Sequence, residues 1–202
     1  MSENKYEFDA GKLCLDFANT MNWHASQHPI EELPGYTDLL MWGKAAGLLN
    51  PEGEKRLQEI AEKNPGKSDE YHRYAIQVRE AIYRIFSHHY AGQPIPSDDL
   101  ALLNSIVREA MAHRQLVQSG NEFQWSWSPD IDGINLIIWP VAFSAAHLLA
   151  SPTAARVREC EDDRGCGYLF IDQSKNHSRR WCSMESCGNR AKARRHYSRV
   201  QA

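Results

Sequence analysis

Four of the five cysteines of this 202-residue chain fall within its last 43 residues, at the spacing C-x5-C-x15-C-x4-C. Zn²⁺ binds four thiolates at the corners of a tetrahedron, about 2.3 Å from the metal, and two close pairs separated by a hairpin can supply them. A short segment this polar has little hydrophobic core and needs another source of stability. The alternative is four thiols without a metal. We therefore expect one structural zinc ion on Cys160, Cys166, Cys182 and Cys187.

The chain around these cysteines predicts a small treble clef, which consists of a knuckle, a hairpin and a helix. In GYLFIDQSKNHSRRWCS, Tyr168 and Phe170 alternate as in a strand, DQSKNHS forms the turn, and Arg180–Cys182 returns. A basic helix is then expected from about Ser186 to Arg199, and its first turn donates the last ligand. Because four protein ligands leave no open position on zinc, the metal should be structural and not catalytic.

The net charge of −3 hides a division of charge along the chain. Residues 1–150 hold 12 basic and 20 acidic residues, whereas residues 151–202 hold 11 basic and 6 acidic residues. Such asymmetry predicts two parts with different partners. We expect a domain boundary near Ala150, with a ligand-sensing or assembly domain over 1–150 and the zinc finger over 151–202. The alternative is a basic tail that binds no partner of its own.

The basic residues of the tail indicate nucleic acid as a partner, because arginine pairs with phosphates and with the edge of guanine. At 3.6 residues per turn, Lys192, Arg195 and Arg199 share one side of the predicted helix. Arg190 and Arg194 share another side. An alternative role for some of these arginines is to neutralise the negative charge of the zinc–thiolate centre. The candidate DNA-binding residues are Arg179, Arg180, Arg190, Lys192, Arg194, Arg195 and Arg199.

The first 150 residues predict a mainly α-helical domain with a few short strands, so the fold class is mainly α (α+β). LCLDFANT alternates around Leu13, Leu15 and Phe17 and predicts a first strand. RQLVQSGNEFQWSWSPD predicts a hairpin, and INLIIWPVAFSAAHLLA predicts a buried central helix with Pro140 near its first turn or at a kink. Because all these apolar helices lie before Ser151, we expect residues 1–150 to fold without the tail. Further helices are predicted from Thr37 to Leu49, from Pro51 to the KNPGKS segment, from Ser68 to the AGQPIP segment, and from Ser97 onward.

Two polar residues at the exit of the predicted first strand are candidates for a ligand pocket. Asp16 and Asn19 lie there, with Trp23 and Trp42 nearby in the sequence, and the ligand would be an unknown small-molecule effector. We favour a structural role, in which Asp16 and Asn19 cap a helix or tie down a loop. Cys14 in the same segment is expected to be a small buried apolar residue and not a ligand or nucleophile.

Several classes of protein are disfavoured by the sequence. No apolar run approaches the roughly 20 residues that a membrane span needs, so we expect no membrane partner. MSENKYEFDAGK lacks the basic and apolar regions of a secretory signal, which favours a cytoplasmic location, where cysteines stay reduced and a disulfide framework is not expected. We find no nucleophile–base pair, phosphate loop or dinucleotide fingerprint, and we therefore expect no enzyme.

The motif CGNR at Cys187–Arg190, with RRWCSM before it and AKARRHY after it, resembles the CGNR zinc-finger family. The segment GYLFIDQS is similar to the stretch between that family's cysteine pairs. The earlier segments LCLDFANT, YTDLLMWGKAAGLL, VREAIYRIF, LALLN and SAAHLLAS resemble the ABATE domain, the usual partner of this finger. The resemblance implies a bacterial transcription regulator of the stress response, with its metal ligands on the same four cysteines.

These observations together predict a zinc-containing bacterial regulator that binds DNA through the C-terminal finger and its basic helix. Because one finger is small, strong specific binding would need a homodimer or help from another segment. The alternative is a zinc-stabilised module for protein interaction or small-molecule sensing that does not bind DNA directly. In that alternative, the basic finger docks on an acidic surface, such as that of the first domain.

Overall fold

The computed structural model describes residues 5–128 and 133–200, without the side chains at positions 195, 196 and 198–200. The predicted fold class is confirmed, since helices form most of the regular structure and the strands are short. The helices are α1 (Leu13–Ala18), α2 (Tyr36–Ala45), α3 (Pro51–Lys63), α4 (Pro65–Tyr90), α5 (Ser97–Ala112), α6 (Asn135–Leu149) and α7 (Asn189–Val200). The strands are β1 (Met21–Asn22), β2 (Ile30–Glu31), β3 (Arg114–Ser119), β4 (Glu122–Trp127), β5 (Val157–Glu159) and β6 (Leu169–Ile171).

The segment LCLDFA forms helix α1, so the predicted first strand is wrong. The backbone N–H groups of Leu15 and Asp16 donate to the carbonyl of Lys12 at 2.9 and 3.0 Å, which begins a helical turn. The helix packs between α4 and α6, and Cys14 to Ala18 are all buried. A short run that is buried on every side shows no amphipathic period. The alternation of its leucines therefore could not distinguish a helix from a strand.

The other predicted helices are present, with some changed limits. Helix α3 begins at Pro51 as predicted, because the Asn50 side chain caps it by accepting a hydrogen bond from the N–H of Gly53 at 2.7 Å. Helix α2 ends at Ala45, earlier than predicted, and Gly47 follows in the left-handed region at φ +71°.

Helix α4 begins at Pro65, before the predicted Ser68. Asn64 is its cap and accepts from the N–H of Lys67 at 3.1 Å. Ser68 is buried within the first turn, where its hydroxyl donates to the Pro65 carbonyl at 2.8 Å. Helix α5 begins at Ser97, but the predicted cap by Ser97 is wrong, because Pro96 occupies the cap position and no side chain among the described residues caps the helix.

The predicted hairpin and central helix are both confirmed. Strands β3 and β4 pair antiparallel on either side of Gly120, and the predicted Pro129–Asp130 end of this segment lies outside the described residues. Helix α6 contains Pro140 and buries apolar residues on nearly all its sides, which makes it the centre of the helical core. Among the described helices, none is both long enough and apolar enough to cross a membrane.

The main hydrophobic core extends into the cysteine-rich tail. Val157 of β5 and Leu169 and Ile171 of β6 belong to the same buried cluster as the helices. Strand β6 pairs antiparallel with β5, with Val157 opposite Ile171, so the predicted pairing of this strand with Arg180–Cys182 is wrong. The hairpin therefore spans the first cysteine pair, and its apolar face packs on the helical domain.

Candidate metal centre and basic helix

The four tail cysteines converge on one point. Their sulfur atoms all lie within 4.8 Å of one another, with Sγ–Sγ distances of 3.8 Å for Cys166–Cys182 and 3.6 Å for Cys182–Cys187. A tetrahedron with metal–sulfur distances of about 2.3 Å has edges of about 3.8 Å. In the part of the chain that the structure describes, no other group of three or more His, Cys, Asp or Glu side chains meets in this way. The geometry and the donor type fit one structural zinc ion.

Short local elements of structure place three of the four cysteines. Cys160 directly follows β5, and Cys166 precedes β6 in the knuckle. The Ser183 hydroxyl accepts from the N–H groups of Glu185 and Ser186, at 3.2 and 3.4 Å, and so begins the helical turn Met184–Gly188 that carries Cys187. The spacing of these cysteines is visible in the sequence, but the elements that carry them depend on the fold.

The knuckle requires glycine where it meets the helical domain. Gly165 has φ +84° and Gly167 has φ +66°, a backbone region that favours glycine. A Cβ atom on Gly165 would lie 2.5 Å from the carbonyl oxygen of Ala25. The loop that contains Ala25 is therefore in close contact with the finger.

Hydrogen bonds support the sulfur cluster from two sides. The Arg190 guanidinium donates to Cys187 Sγ at 3.0 Å, and the backbone N–H of Cys182 donates to Cys160 Sγ at 3.4 Å. Donors around metal thiolates favour the charged state of the sulfur. Arg190 thus contacts the metal centre, which was the alternative role considered for the arginines.

A buried carboxylate organises three arginines beside the cluster. The Asp162 side chain has no exposed surface, and it accepts from Arg164 and Arg194 at 3.3 Å and from Arg190 at 3.4 Å. Arg194 also pairs with Asp163. Burial alone would raise the pKa of the Asp162 carboxyl, but the hydrogen bonds from Arg164 reverse this and hold its pKa below the usual range.

Arg179 and Arg180 also make contacts within the finger. The Arg179 guanidinium lies 4.3 Å from the centre of the Phe170 ring and donates to the carbonyls of Trp181 and Cys182. Arg180 pairs with Glu161 at 2.5 Å. Trp181 packs against the cysteine cluster.

The structure places the seven candidate DNA-binding residues in different surroundings. The four arginines at 179, 180, 190 and 194 have partners inside the finger, whereas Lys192 is exposed, with no side-chain partner among the described residues. The side chains of Arg195 and Arg199 lie outside the described residues. Contact of these residues with nucleic acid stays a prediction.

Trp23 is an important contact that the sequence analysis did not assign. It has φ +55°, and its ring lies 4.9 Å from the Arg164 guanidinium and 5.1 Å from that of Arg190. The next residue, His24, bonds to Glu80 at 2.8 Å and stacks on Tyr83. This loop therefore joins α4 to the arginines beside the cysteines through cation–π contacts.

Asn19 has the structural role that we favoured for it. Its side-chain amide donates to the carbonyl of Leu169 and accepts from the N–H of the same residue, both at 2.8 Å. Asn19 thus pairs with β6 as a neighbouring strand would. Asp16 accepts from the N–H of Ala10 at 3.0 Å, and burial raises the pKa of its carboxyl to about 6. Burial also raises the pKa of the Cys14 thiol to about 12, as fits a buried apolar residue.

Both Asp16 and Asn19 line a small cavity of about 120 Å³. The cavity also reaches Trp42 of α2 and Tyr168 of the finger. The two residues proposed from the sequence are therefore brought together at one cavity, which lies where the helical domain meets the finger.

Comparison with known proteins agrees with the arrangement of the chain. Residues 11–152 match the ABATE family, described as "putative stress-induced transcription regulator", and residues 156–200 match the CGNR zinc finger. A search of curated proteins found no match. Neither family description names an enzyme. The two matches confirm the order of domains indicated by the sequence, and the chain belongs to the ABATE family, with a CGNR zinc finger at its C-terminal end.

Proposed function

We propose that this protein is a bacterial transcription regulator that binds duplex DNA through its zinc finger, and that Cys160, Cys166, Cys182 and Cys187 hold the structural zinc. The observation that carries the proposal is the position of α7. This basic helix directly follows the last cysteine, and its first turns are fastened to the finger through Arg190 and Arg194. A helix that is fixed to a metal centre along one side can present its other side to the major groove of DNA.

The side of α7 opposite to these two arginines is the proposed DNA-binding side. Successive helical residues are about 100° apart, so positions 192, 195 and 199 fall within about 60° of one another. Their sector is centred on the side opposite to Arg190 and Arg194. Lys192 is exposed there. We assign phosphate contacts to Lys192, Arg195 and Arg199, and we assign Arg179, Arg190 and Arg194 to the metal centre.

The alternative of a basic finger that grips the acidic first domain finds less support in the contacts. The carboxylates that pair with Arg180, Arg190 and Arg194 belong to the finger itself, at positions 161, 162 and 163. The contact from the helical domain to the arginines comes from the Trp23 ring instead. These contacts leave Lys192 exposed on α7.

Recovery of genomic DNA fragments by the purified zinc-loaded protein tests this function. We expect the wild type to enrich a limited set of fragments and the Lys192→Glu variant to lose most of this enrichment, because a carboxylate would face the phosphates. Lys175→Glu is the matched control, since Lys175 is an exposed lysine of the finger outside α7. If both variants recover equal amounts of DNA, the outer side of α7, which carries Lys192, Arg195 and Arg199, is not the DNA-binding side. If the wild type enriches no fragments, the proposal of DNA binding is wrong.

A further inference from the structure

The cavity beneath the finger has an unusual chemical lining. Trp42 lines it and is fully buried, yet its indole N–H has no hydrogen-bond partner among the described residues. Buried indole N–H groups normally find a partner. A ligand with a hydrogen-bond acceptor in the cavity would satisfy this donor.

The cavity is also rich in negative charge. Glu7, Asp16 and Glu32 line it together with one lysine, Lys5, whose ammonium group pairs with Asp38 at 3.0 Å. Burial raises the pKa of the Asp16 carboxyl to about 6 and also raises the pKa of Glu32. Both carboxylates lack full solvation, and a bound cation would compensate for this.

A metal ion fits this lining poorly. Outside the four cysteines, no group of three acidic, histidine or cysteine side chains in the described residues converges closely enough to hold a metal. The indole N–H is a donor only, so it cannot coordinate a metal cation. The volume of about 120 Å³ corresponds to roughly four water molecules, at about 30 Å³ each. A ligand that suits this lining would therefore be a small organic molecule that carries its positive charge and its acceptor on different atoms.

We propose that this cavity binds a small organic cation, an amine or guanidine that also carries a hydrogen-bond acceptor, and that its binding is transmitted to the zinc finger through Asn19 and Tyr168. The acceptor takes the Trp42 indole N–H, and the cationic group lies against Asp16 and Glu32. This inference deepens the proposed function by naming the class of effector. The ligand can regulate the protein in this way only if the protein binds DNA, but binding of the ligand to the cavity does not depend on DNA.

The link to the finger is short. Tyr168 lines the cavity and its hydroxyl donates to Asp9, while its backbone carbonyl accepts from the N–H of Cys160 at 2.9 Å. Asn19 lines the same cavity and holds both backbone groups of Leu169. A ligand that orders these two residues also orders β6 and the start of the knuckle.

Ethanolamine and ethylene glycol form a matched pair of probes, because they have the same size and acceptor and differ in the ammonium group. With the zinc-loaded full chain labelled on tryptophan nitrogen, we expect ethanolamine to give a saturable shift of the Trp42 indole signal, which a Trp42→Phe variant identifies. Ethylene glycol should give little or none. Equal shifts from both probes, or no shift from either, would overturn the proposal.

Substitution of the carboxylates tests the proposed contacts. Asp16→Asn keeps the acceptor for the Ala10 N–H and should weaken ethanolamine binding by about tenfold, the effect of removing a charged hydrogen-bond partner. Glu32→Gln is a second test that does not depend on α1. Asp69→Asn, which changes an exposed carboxylate of α4 away from the cavity, should leave binding unchanged. If both cavity variants bind ethanolamine as the wild type does, the charge argument is wrong.

Hydrogen exchange tests the transmission independently of DNA. The N–H of Leu169 donates to Asn19, and we expect its exchange to slow when ethanolamine binds. Exchange that does not change at saturating ethanolamine would refute the coupling to the finger. None of these three experiments uses nucleic acid, so failure of the effector proposal can be separated from failure of DNA binding.

Discussion

Replacement of Cys182 by serine is expected to release the zinc and unfold the end of the chain beyond β6, while the helices α2 to α6 remain. Zinc in small structural sites contributes on the order of 10–16 kcal/mol of apparent binding free energy, which is comparable with the whole stability of a typical domain. The cysteine cluster has only a small core of its own, centred on Phe170 and Trp181. Without the metal, this core cannot hold the loop before α7.

Elemental analysis and hydrogen exchange of the same samples measure this effect. We expect one zinc per wild-type chain, none in Cys182→Ser, and loss of amide protection in the finger of the variant. Cys14→Ala is the matched control, because Cys14 is a cysteine of the helical core outside the cluster. It should keep its zinc. Wild-type protein purified without chelator that contains no metal would contradict the zinc site.

Removal of the whole tail after Ala150 is expected to destabilise the helical domain severely. The truncation deletes Val157, Leu169 and Ile171 from the main core, and each buried side chain of this size contributes roughly 1.5–3 kcal/mol. It also leaves the buried Asn19 amide without its partners on Leu169. Typical domains have a free energy of unfolding of only about 5–15 kcal/mol, so the lost burial is comparable with the total stability of such a domain. The shared core therefore argues against the autonomy that we expected from the sequence.

Thermal unfolding of two truncations tests this expectation. A chain ending at Ala150 should lose its cooperative transition or melt far below the full protein. A chain ending at Gln173 keeps β5 and β6 but lacks Cys182 and Cys187, and it should retain a cooperative transition. If the chain ending at Ala150 unfolds as cooperatively as the full protein and at a similar temperature, β5 and β6 contribute little to the helical domain.

The zinc site could be predicted because its information is local. Four soft ligands at short spacings and a CGNR motif define it almost without regard to the rest of the fold. The partners of the arginines could not be predicted in this way. Arg190 and Arg194 meet Asp162 about 30 residues earlier in the chain, and Trp23 reaches Arg190 from the other domain. Such contacts depend on the complete fold.

The errors of the sequence analysis have two physical causes. Helix α1 is buried on all sides, so its apolar residues show no period that distinguishes a helix from a strand. The partner of β6 was misassigned because β5, at Val157–Glu159, has only three residues and one strongly apolar side chain. We favoured a structural role for Asn19, but its partner Leu169 is 150 residues away in the sequence and no local pattern indicates it.

The central claim is that the outer side of α7 binds duplex DNA, and its most direct test is a fluorescence-anisotropy titration of the zinc-loaded protein at several salt concentrations. Each phosphate contact contributes about −0.9 to the slope of log affinity against log salt, so contacts by Lys192, Arg195 and Arg199 predict a slope near −3 for each finger. Replacing all three with alanine should abolish the salt-dependent binding, whereas Lys175→Ala should preserve the slope. Absence of wild-type binding at low salt, with zinc bound and the protein folded, would contradict the claim and favour an interaction or sensing module.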